Sequence, residues 1–310
     1  MPETTQLVVD DREIELSNPD KPLFPTDGLD KPITKADLVD YYRRVAEVMV
    51  PHMRGRPLVM DRYPDGITGD SFYQKDISEH FPDWIHRAEV AKQDGTVTHV
   101  LCDDAATLTY VATQACITPH LWLSRSDRID HPDRMIFDLD PSAPGFDPVR
   151  FAAGKLDELL REIGLVPFVQ TTGSKGLHVI VPLDRRDDFD AVRDFARSIG
   201  RVLADRHPDR LTVEQRKAKR GDRVYLDTMR NAYAQSAVAP YAVRARPTAP
   251  IATPLDWDEV GDSKLDPQRY TVHNIFRRLG QRQDPCADID AHATPLGDAR
   301  RKFERLSEES

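Results

Sequence analysis

One stretch of this sequence limits the fold more than any other. MIFDLD at 135–140 is a short apolar run typical of a buried strand. An amphipathic helix is predicted over 149–163, with Gly164 as its C-terminal stop. VPFVQTTGSKGLHVIVPL at 166–183 then predicts two strands joined by a glycine-containing turn. Strands and helices therefore mix within one region, which favours an α/β or α+β architecture.

The flanking sequence contains further elements of both kinds. A helix is predicted to begin at Thr34, because Asp37 three residues later completes a capping-box pattern. A second helix is expected to end near Pro119. A third helix is predicted over 189–205 and a strand over 222–227. We find no internal repeat, so a repeat architecture is not expected.

Composition excludes several classes of protein. The chain has 310 residues, 39% of them hydrophobic and 31% charged, which predicts one large or two modest globular domains. It has no basic and apolar leader and no run of about 18 apolar residues, so we expect no membrane partner and a cytoplasmic location. Its three cysteines are far apart and form no metal-binding or disulfide pattern.

The charge distribution is uneven along the chain. The net charge is -9, yet residues 210–230 contain seven basic and three acidic residues. Such a run is typical of a solvated surface loop, and it is equally suited to contact phosphates.

Two aspartates in MIFDLD are candidates for metal binding. Residues i and i+2 of a strand point to the same face, so Asp138 and Asp140 are expected to lie side by side. Two carboxylates this close repel each other unless a cation lies between them, and oxygen ligands suit Mg²⁺ or Mn²⁺. Asp227, at the end of another predicted strand, is a candidate third ligand. The alternative is that the pair merely caps a turn before Pro141.

The turn TTGSKG is a candidate phosphate site. Gly173 and Gly176 permit a tight turn with exposed backbone N–H groups, and Ser174 and Lys175 add a hydroxyl and a positive charge. The spacing is not that of a P-loop. His178, which follows, is able to donate to a phosphate oxygen or to pair with a neighbouring side chain.

These three motifs together resemble the primase-polymerase domain of bacterial ATP-dependent DNA ligase D, within the archaeo-eukaryotic primase superfamily. The resemblance covers roughly residues 10–260. It implies a metal-dependent nucleotidyltransferase with a two-metal site of Mn²⁺ or Mg²⁺ and an NTP or dNTP substrate. The catalytic and metal-binding residues would be Asp138, Asp140 and Asp227, and the nucleotide-binding residues would include Thr172, Ser174, Lys175 and His178.

The resemblance also implies DNA contacts in the N-terminal third. Asn18 and Lys21 fall in a loop that would grip the 5′-phosphate of the downstream strand. Lys35 would assist them, although the extra residues LDKP before it leave Lys31 as an alternative. Phe72 and Tyr73 match an aromatic pair that would stack on template bases, with ordinary core packing as the alternative.

The basic residues receive roles from the same resemblance. Lys217, Lys219 and Arg220 would lie near the primer and the incoming nucleotide. Arg244 and Arg246 would approach the triphosphate or the template. Phosphate contacts of this kind make binding to DNA fall steeply as the salt concentration rises.

The implied fold has a mixed, mostly antiparallel central sheet, RRM-like in its catalytic half. The catalytic domain would span 1–270, with an N-terminal α/β module to about 130 and a catalytic module after it, and 271–310 would form a polar tail.

The function that follows is a repair polymerase that adds one or a few nucleotides, preferring ribonucleotides, at short gaps or double-strand break ends. The chain is expected to be a stand-alone, nucleoid-associated member that works with a separate DNA ligase and with Ku. One alternative is a module that binds and bridges DNA ends with little catalysis. A remote alternative starts from DLDPS, which resembles the nucleophile motif of haloacid-dehalogenase phosphatases.

Overall fold

The structure, a computed structural model, describes residues 3–26, 30–92 and 95–308. Its strands are β1 (Thr4–Val9), β2 (Arg12–Ser17), β3 (Pro22–Phe24), β4 (Ile33–Thr34), β5 (Leu58–Arg62), β6 (Phe72–Gln74), β7 (Arg87–Lys92), β8 (Gly95–Val100), β9 (Cys116–Trp122), β10 (Arg134–Asp140), β11 (Phe168–Thr171), β12 (Leu177–Pro182), β13 (Leu211–Thr212), β14 (Val224–Asp227), β15 (Ser236–Val238) and β16 (Pro254–Leu255). Its α-helices are α1 (Lys35–Met53), α2 (Ala105–Thr113), α3 (Asp147–Glu162), α4 (Phe189–Arg206), α5 (Trp257–Val260), α6 (Ile275–Leu279) and α7 (Leu296–Glu308).

The chain divides into two compact units, each made of several segments. The first unit comprises Met1–Asp127, Ser236–Ala252 and Tyr270–Gly280. The second comprises Arg128–Gln235, Thr253–Arg269 and Gln281–Ser310. The first division falls near residue 130, close to the predicted start of the catalytic module, but Ser236–Ala252 of that predicted module belongs to the first unit.

The first unit is built on a four-stranded antiparallel sheet in the order β15-β9-β5-β6. Helix α1 begins as predicted: the Thr34 hydroxyl accepts a hydrogen bond from the Asp37 amide, and the Asp37 carboxylate accepts one from the Thr34 amide. The helix buries an apolar stripe that includes Leu38, Val45 and Met49 in the core of this unit. Burial of this stripe supplies most of the energy that holds the helix in place.

The prediction of a helix ending near Pro119 is wrong. Helix α2 ends at Thr113, and Ala115 adopts a left-handed conformation with φ 56°. Pro119 lies inside β9, opposite Met60 of β5. The apolar run continues through this boundary without a break in hydrophobicity, so its pattern could not reveal the change from helix to strand.

The second unit is built on a six-stranded sheet in the order β13-β14-β10-β12-β11-β16. Every pair is antiparallel except β13 with β14. Strand β10 is central, and helices α3 and α4 contact it. The expected fold class, mixed α/β with mostly antiparallel sheets, is confirmed, as are the strands and helices predicted over 135–227.

Residues 271–310, predicted as a polar tail, contain two helices and buried side chains. Leu296, Ala299 and Phe303 recur at helical spacing on α7 and are buried. The Phe303 ring contacts the Phe195 ring edge to face, with centroids 5.6 Å apart. The apolar residues of this segment are sparse but lie on one face, so the segment packs although its composition is polar.

Among the helices of the described residues, none combines the length and apolar character that crossing a membrane requires.

Candidate active site

The register of the central sheet in the second unit brings the three predicted carboxylates to one face. Asp138 lies opposite Asp227 on β14, and Asp140 lies two residues further along β10. Cross-strand partners project to the same side with Cβ atoms about 5 Å apart, and residues i and i+2 share that side. Helix α4 covers the other face, since a methyl group built on Gly200 would lie 4.0 Å from Leu226. The carboxylates therefore face away from α4.

Asp138 is buried and has two basic neighbours. Its Oδ2 atom lies 3.5 Å from His178 Nε2 and 3.6 Å from Arg230 Nε. Burial penalises the charged carboxylate, but His178 and Arg230 outweigh this penalty and hold the pKa of Asp138 below its ordinary value. His178 Nδ1 lies 3.5 Å from the Gln170 side-chain nitrogen, so that Nε2 is the ring nitrogen that faces Asp138.

Asp140 and Asp227 have different surroundings. Burial, followed by the charges of Asp138 and Asp227, raises the pKa of Asp140 to about 6. Asp227 Oδ1 accepts a hydrogen bond of 2.8 Å from the Met229 amide, which fixes this carboxylate at the strand end. The charges of Asp138 and Asp227 thus repel an ionised Asp140, and a bound cation would relieve this repulsion.

The donor set fits hard divalent cations. All three side chains offer carboxylate oxygens, the ligands that Mg²⁺ and Mn²⁺ prefer. Asp138 Oδ1 is buried and has no hydrogen-bond partner in the described part of the chain, so this oxygen is available as a ligand. Within that same part, no three His, Cys, Asp or Glu side chains already converge on a single point. Asp138 and Asp140 lie along β10, and Asp227 lies beside Asp138 on the neighbouring strand.

The glycine turn between β11 and β12 packs directly against the acidic strand. A Cβ atom on Gly176 would lie only 2.1 Å from the Leu139 carbonyl oxygen, so only glycine fits here. The Thr172 hydroxyl accepts hydrogen bonds from the Ser174 and Gly176 amides, at 3.3 and 3.2 Å. Thr172 is buried and shapes the turn, a role different from the predicted direct contact with nucleotide.

An open cleft of about 420 Å³ lies beside this turn, next to the end of β10. Ser174 and Lys175 line one part of it and Lys217 another. Lys175 and Lys217 are both exposed. The structure therefore brings together two of the predicted nucleotide-binding residues and one basic residue assigned to DNA.

Residues 141–146 and 266–268 also line the cleft, and sequence reasoning assigned them no role. The hydrogen bond of Gln268 to this site, described below, has no signal in the local sequence.

The side chain of Asn231, in the segment that follows β14, holds β10 in place. The buried Asn231 side chain accepts a hydrogen bond from the Ile136 amide at 2.8 Å and donates one to the Ile136 carbonyl at 2.7 Å. It thus continues the ladder on β10 beyond the residues that pair with β14. This contact also places the preceding residue, Arg230, beside Asp138.

Two arginines of the basic segment, residues 210–230, contact other residues of the same segment. Arg220 stacks over the Tyr225 ring at 3.7 Å and donates to the Glu214 and Gln215 carbonyls. Arg223 donates to the Lys219 and Arg220 carbonyls. Arg220, predicted to bind DNA, is therefore engaged within the segment. Lys217 and Lys219 remain exposed.

A model of the LigD primase-polymerase domain family matches residues 34–286. The chain belongs to this family. Its members are nucleotidyltransferase-type polymerase and primase domains, so the chain is an enzyme domain of that class. The phosphatase resemblance of DLDPS is set aside by this membership.

Full-length relatives and a solved structure agree. The chain is 33% identical over 289 residues to the multifunctional non-homologous end joining protein LigD of Mycolicibacterium smegmatis, covering 92% of this chain and 37% of that protein. It is 28% identical over 290 residues to the bifunctional LigD of Bacillus subtilis, covering 91% and 46%. The chain spans less than half the length of the curated relatives it matches. The polymerase domain of Mycobacterium tuberculosis ligase D in complex with DNA matches with a TM-score of 0.83 and 32% identity, covering 90% of this chain and 98% of that one.

The 5′-phosphate residues expected of a LigD polymerase domain lie together in the first unit. Asn18 turns the chain with φ 52°, and the Lys35 amide donates to the Lys21 carbonyl at 2.9 Å. Lys21 is ion-paired with Asp65 at 2.6 Å. Lys35 is buried and donates to the Ser17 carbonyl at 2.8 Å.

Besides burial, the charge of Lys21 affects the pKa of Lys35. Burial, then the charges of Lys21 and Arg62, lowers the pKa of Lys35. Lys31, the alternative to Lys35, is exposed, and Leu29 of the extra LDKP residues lies outside the described part of the chain.

Phe72 and Tyr73 are both exposed but do not form one platform. They are consecutive residues of edge strand β6, so their side chains point to opposite faces of the sheet. Phe72 lies under the Arg62 guanidinium at 5.3 Å. Tyr73 contacts His120 edge to face, with ring centroids 5.8 Å apart. Each aromatic ring would have to meet a different base.

Arg244 and Arg246 belong to the first unit, whereas the acids belong to the second. Arg244 is half-buried and its charge acts on Asp61, and Arg246 is exposed. Their predicted contact with triphosphate or template stays a prediction.

Proposed function

We propose that this domain is a template-directed polymerase that extends a primer 3′-hydroxyl at short DNA gaps or break ends carrying a 5′-phosphate. The observation that carries the proposal is the single face shared by Asp138, Asp140 and Asp227, next to the glycine turn. Membership of the LigD primase-polymerase family supports the same reaction.

Asp138, Asp140 and Asp227 would hold the divalent cations. Bound Mg²⁺ or Mn²⁺ would lower the pKa of the primer hydroxyl and neutralise charge on the α-phosphate. His178 and Arg230 keep Asp138 ionised, so that this carboxylate is ready to bind. The Asn231 contacts keep β10 and its acids in register with the residues that follow β14.

Residues of the cleft would hold the nucleotide. Lys175 and Lys217 would place two positive charges on the triphosphate, and the Ser174 hydroxyl would donate to it. Thr172 would maintain the shape of the turn. Preorganised donors of this kind stabilise the charge that develops in the transition state without rearranging.

The first unit would bind DNA. Asn18, Lys21 and Lys35 would receive the 5′-phosphate, close to the N-terminus of α1. Phe72 and Tyr73 would each stack on a separate base. Because phosphate contacts supply most of the affinity, binding is expected to weaken steeply with salt.

The relatives are named as non-homologous end joining proteins, and the solved neighbour is a complex with DNA. We therefore propose a role in joining broken ends, with Ku and a DNA ligase activity as partners. The preference for ribonucleotides is proposed from the resemblance of the motifs alone.

Primer extension tests the proposal. The substrate is a fluorescent gap of one to three nucleotides, with or without the 5′-phosphate, supplied with NTPs or dNTPs and with Mn²⁺ or Mg²⁺. Metal-dependent filling that needs the 5′-phosphate, and that Lys21→Ala weakens, is the expected result. Retained gap binding without extension under any of these conditions would instead assign the domain to end bridging.

A further inference from the structure

The glycine turn is anchored by a side chain from a distant part of the chain. Gln268 donates a hydrogen bond of 2.9 Å from its side-chain amide to the Ser174 carbonyl. Both residues line the cleft described above, and Gln268 is half-buried. The sequence separation is 94 residues, so this contact exists only in the folded second unit.

The segment that carries Gln268 is itself held firmly. The Gln268 amide donates to Asp266 Oδ1 at 2.8 Å, and Pro267 is buried. Asp262 pairs with Arg269 at 2.8 Å. These local contacts present the Gln268 side chain from a rigid turn.

Earlier in the same segment, the Trp257 indole donates to the Pro167 carbonyl at 2.8 Å. This contact ties the segment to the start of β11, the strand that leads into the glycine turn. Gln268 is thereby fixed relative to the turn that it contacts.

Holding the Ser174 carbonyl also orients the next amide. The C=O and N–H groups of a trans peptide point in opposite directions, so the Lys175 N–H is directed away from Gln268. No residue in the described ranges accepts a hydrogen bond from that N–H. Rotation of this peptide would replace a donor with a carbonyl oxygen, which repels phosphate. Such a rotation turns ψ of Ser174 and φ of Lys175, and the hydrogen bond from Gln268 opposes it.

We propose that Gln268 is a positioning residue that locks the 174–175 peptide in the orientation that binds the polyphosphate of the incoming nucleotide. This inference rests on the proposed function, because it takes the glycine turn as the polyphosphate site. It assigns a role in substrate binding to Gln268, which follows Asp227 by 41 residues in the sequence.

Two substitutions of similar size separate the hydrogen bond from side-chain shape. Gln268→Met removes the donor, and Gln268→Glu replaces it with a carboxylate that repels both the Ser174 carbonyl and phosphate. Gln283→Met and Gln283→Glu, at an exposed glutamine of the same unit, are the matched controls.

Two measurements follow for each variant: the nucleotide KM and kcat of gap filling, and the Kd of inorganic tripolyphosphate without metal, by calorimetry. Loss of one hydrogen bond predicts a rise of about five- to tenfold in KM and in tripolyphosphate Kd for Gln268→Met. The rise for Gln268→Glu should be larger. The kcat, the Kd for gapped DNA and the Tm should match those of the Gln283 variants.

Unchanged nucleotide KM and tripolyphosphate Kd in Gln268→Met would overturn the proposal. So would parallel losses of Tm, DNA binding and kcat, which indicate a general structural role, and so would absence of tripolyphosphate binding to the wild-type protein. The proposed function can fail separately. If the wild-type protein binds tripolyphosphate but does not extend primers, the proposed polymerase function is wrong. Weaker tripolyphosphate binding by Gln268→Met would still support the positioning role in that case.

Discussion

Two buried aspartates on central strands of the two sheets have opposite electrostatic properties. Asp61 on β5 and Asp138 on β10 are 7% and 6% exposed. Burial raises the pKa of Asp61 to about 6, and the Tyr63 hydroxyl and the Arg244 charge offset this only in part. The pKa of Asp138 is instead lowered, because His178 and Arg230 outweigh its burial.

The sequences around the two aspartates, LVMDR and MIFDLD, look alike. The difference comes from residues that the sheets bring alongside. Asp61 lies opposite Tyr73 and Thr118, whereas Asp138 lies opposite His178 and Asp227. The pKa of a buried carboxylate is thus set by the residues packed beside it, more than by its own strand.

Removal of a carboxylate from the acidic face should have the largest effect. Asp140→Ala is expected to lower the rate of primer extension by about 10³-fold or more, because a ligand that stabilises transition-state charge is lost. The affinity for 5′-phosphorylated gapped DNA should stay unchanged, as measured by fluorescence anisotropy. Asp157→Ala, on the helical surface of the same unit, is the control. Extension by Asp140→Ala at the wild-type rate would contradict the metal assignment.

The contact between the glycine turn and the acidic strand should contribute strongly to stability. Gly176→Ala places a methyl group 2.1 Å from the Leu139 carbonyl oxygen. Such overpacking is expected to reduce the free energy of unfolding by about 3 kcal/mol in urea denaturation. Gly154→Ala is the matched control, since nothing lies within 4 Å of its added methyl group. This control should be stabilised by about 0.5–1 kcal/mol, because alanine is the better helix former.

The two aspartates should respond oppositely to loss of charge. The folded pKa of Asp61 is above the ordinary 3.8, so its ionisation destabilises the protein as pH rises from about 4 through 6. Asp61→Asn should therefore raise the free energy of unfolding at about pH 8 by about 2 kcal/mol and have little effect at about pH 4.

Asp138→Asn should destabilise at about pH 8, because Arg230 loses its counter-charge and His178 loses a carboxylate partner. Its folded pKa is lowered, so the stabilisation it provides is present above 3.8 and disappears as pH falls below that value. Thermal melting of both variants without metal, from about pH 4 to about pH 8, measures these changes as shifts in Tm. Changes in Tm of the same sign for Asp61→Asn and Asp138→Asn at about pH 8 would contradict the opposite electrostatic properties of the two aspartates.

The smallest effect on stability is expected at the Lys21–Asp65 pair. The two side chains are 37% and 76% exposed. Asp65→Asn should change the free energy of unfolding by less than about 0.5 kcal/mol. It should tighten binding to 5′-phosphorylated DNA by about two- to fivefold, because Lys21 loses a competing anion. Equal tightening for DNA without the 5′-phosphate would argue against Lys21 as part of the phosphate grip.

Local sequence predicted much of the second unit correctly. The strand with Asp138 and Asp140, the glycine turn and α4 all have short-range signals: a short apolar run, turn residues and helical spacing. The end of α2 was predicted wrongly, because the apolar run through Pro119 carries no such signal. The opposite orientations of Phe72 and Tyr73 follow from strand geometry once β6 is known. The adjacency of Phe72 and Tyr73 in the sequence, taken alone, predicts one stacking surface, which a β-strand does not provide.

The sequence by itself determined the chemical types present: the spaced aspartates, the glycine turn and the excess of basic residues around 210–230. Only the tertiary structure decided which groups meet. It placed Asp227 and His178 on either side of Asp138, used the Asn231 side chain to extend the ladder on β10, and joined Gln268 to Ser174. The physical reason is separation along the chain: hydrophobic patterns and turn preferences act over a few residues. Sheet register and side-chain hydrogen bonds between distant segments form only when the whole unit packs.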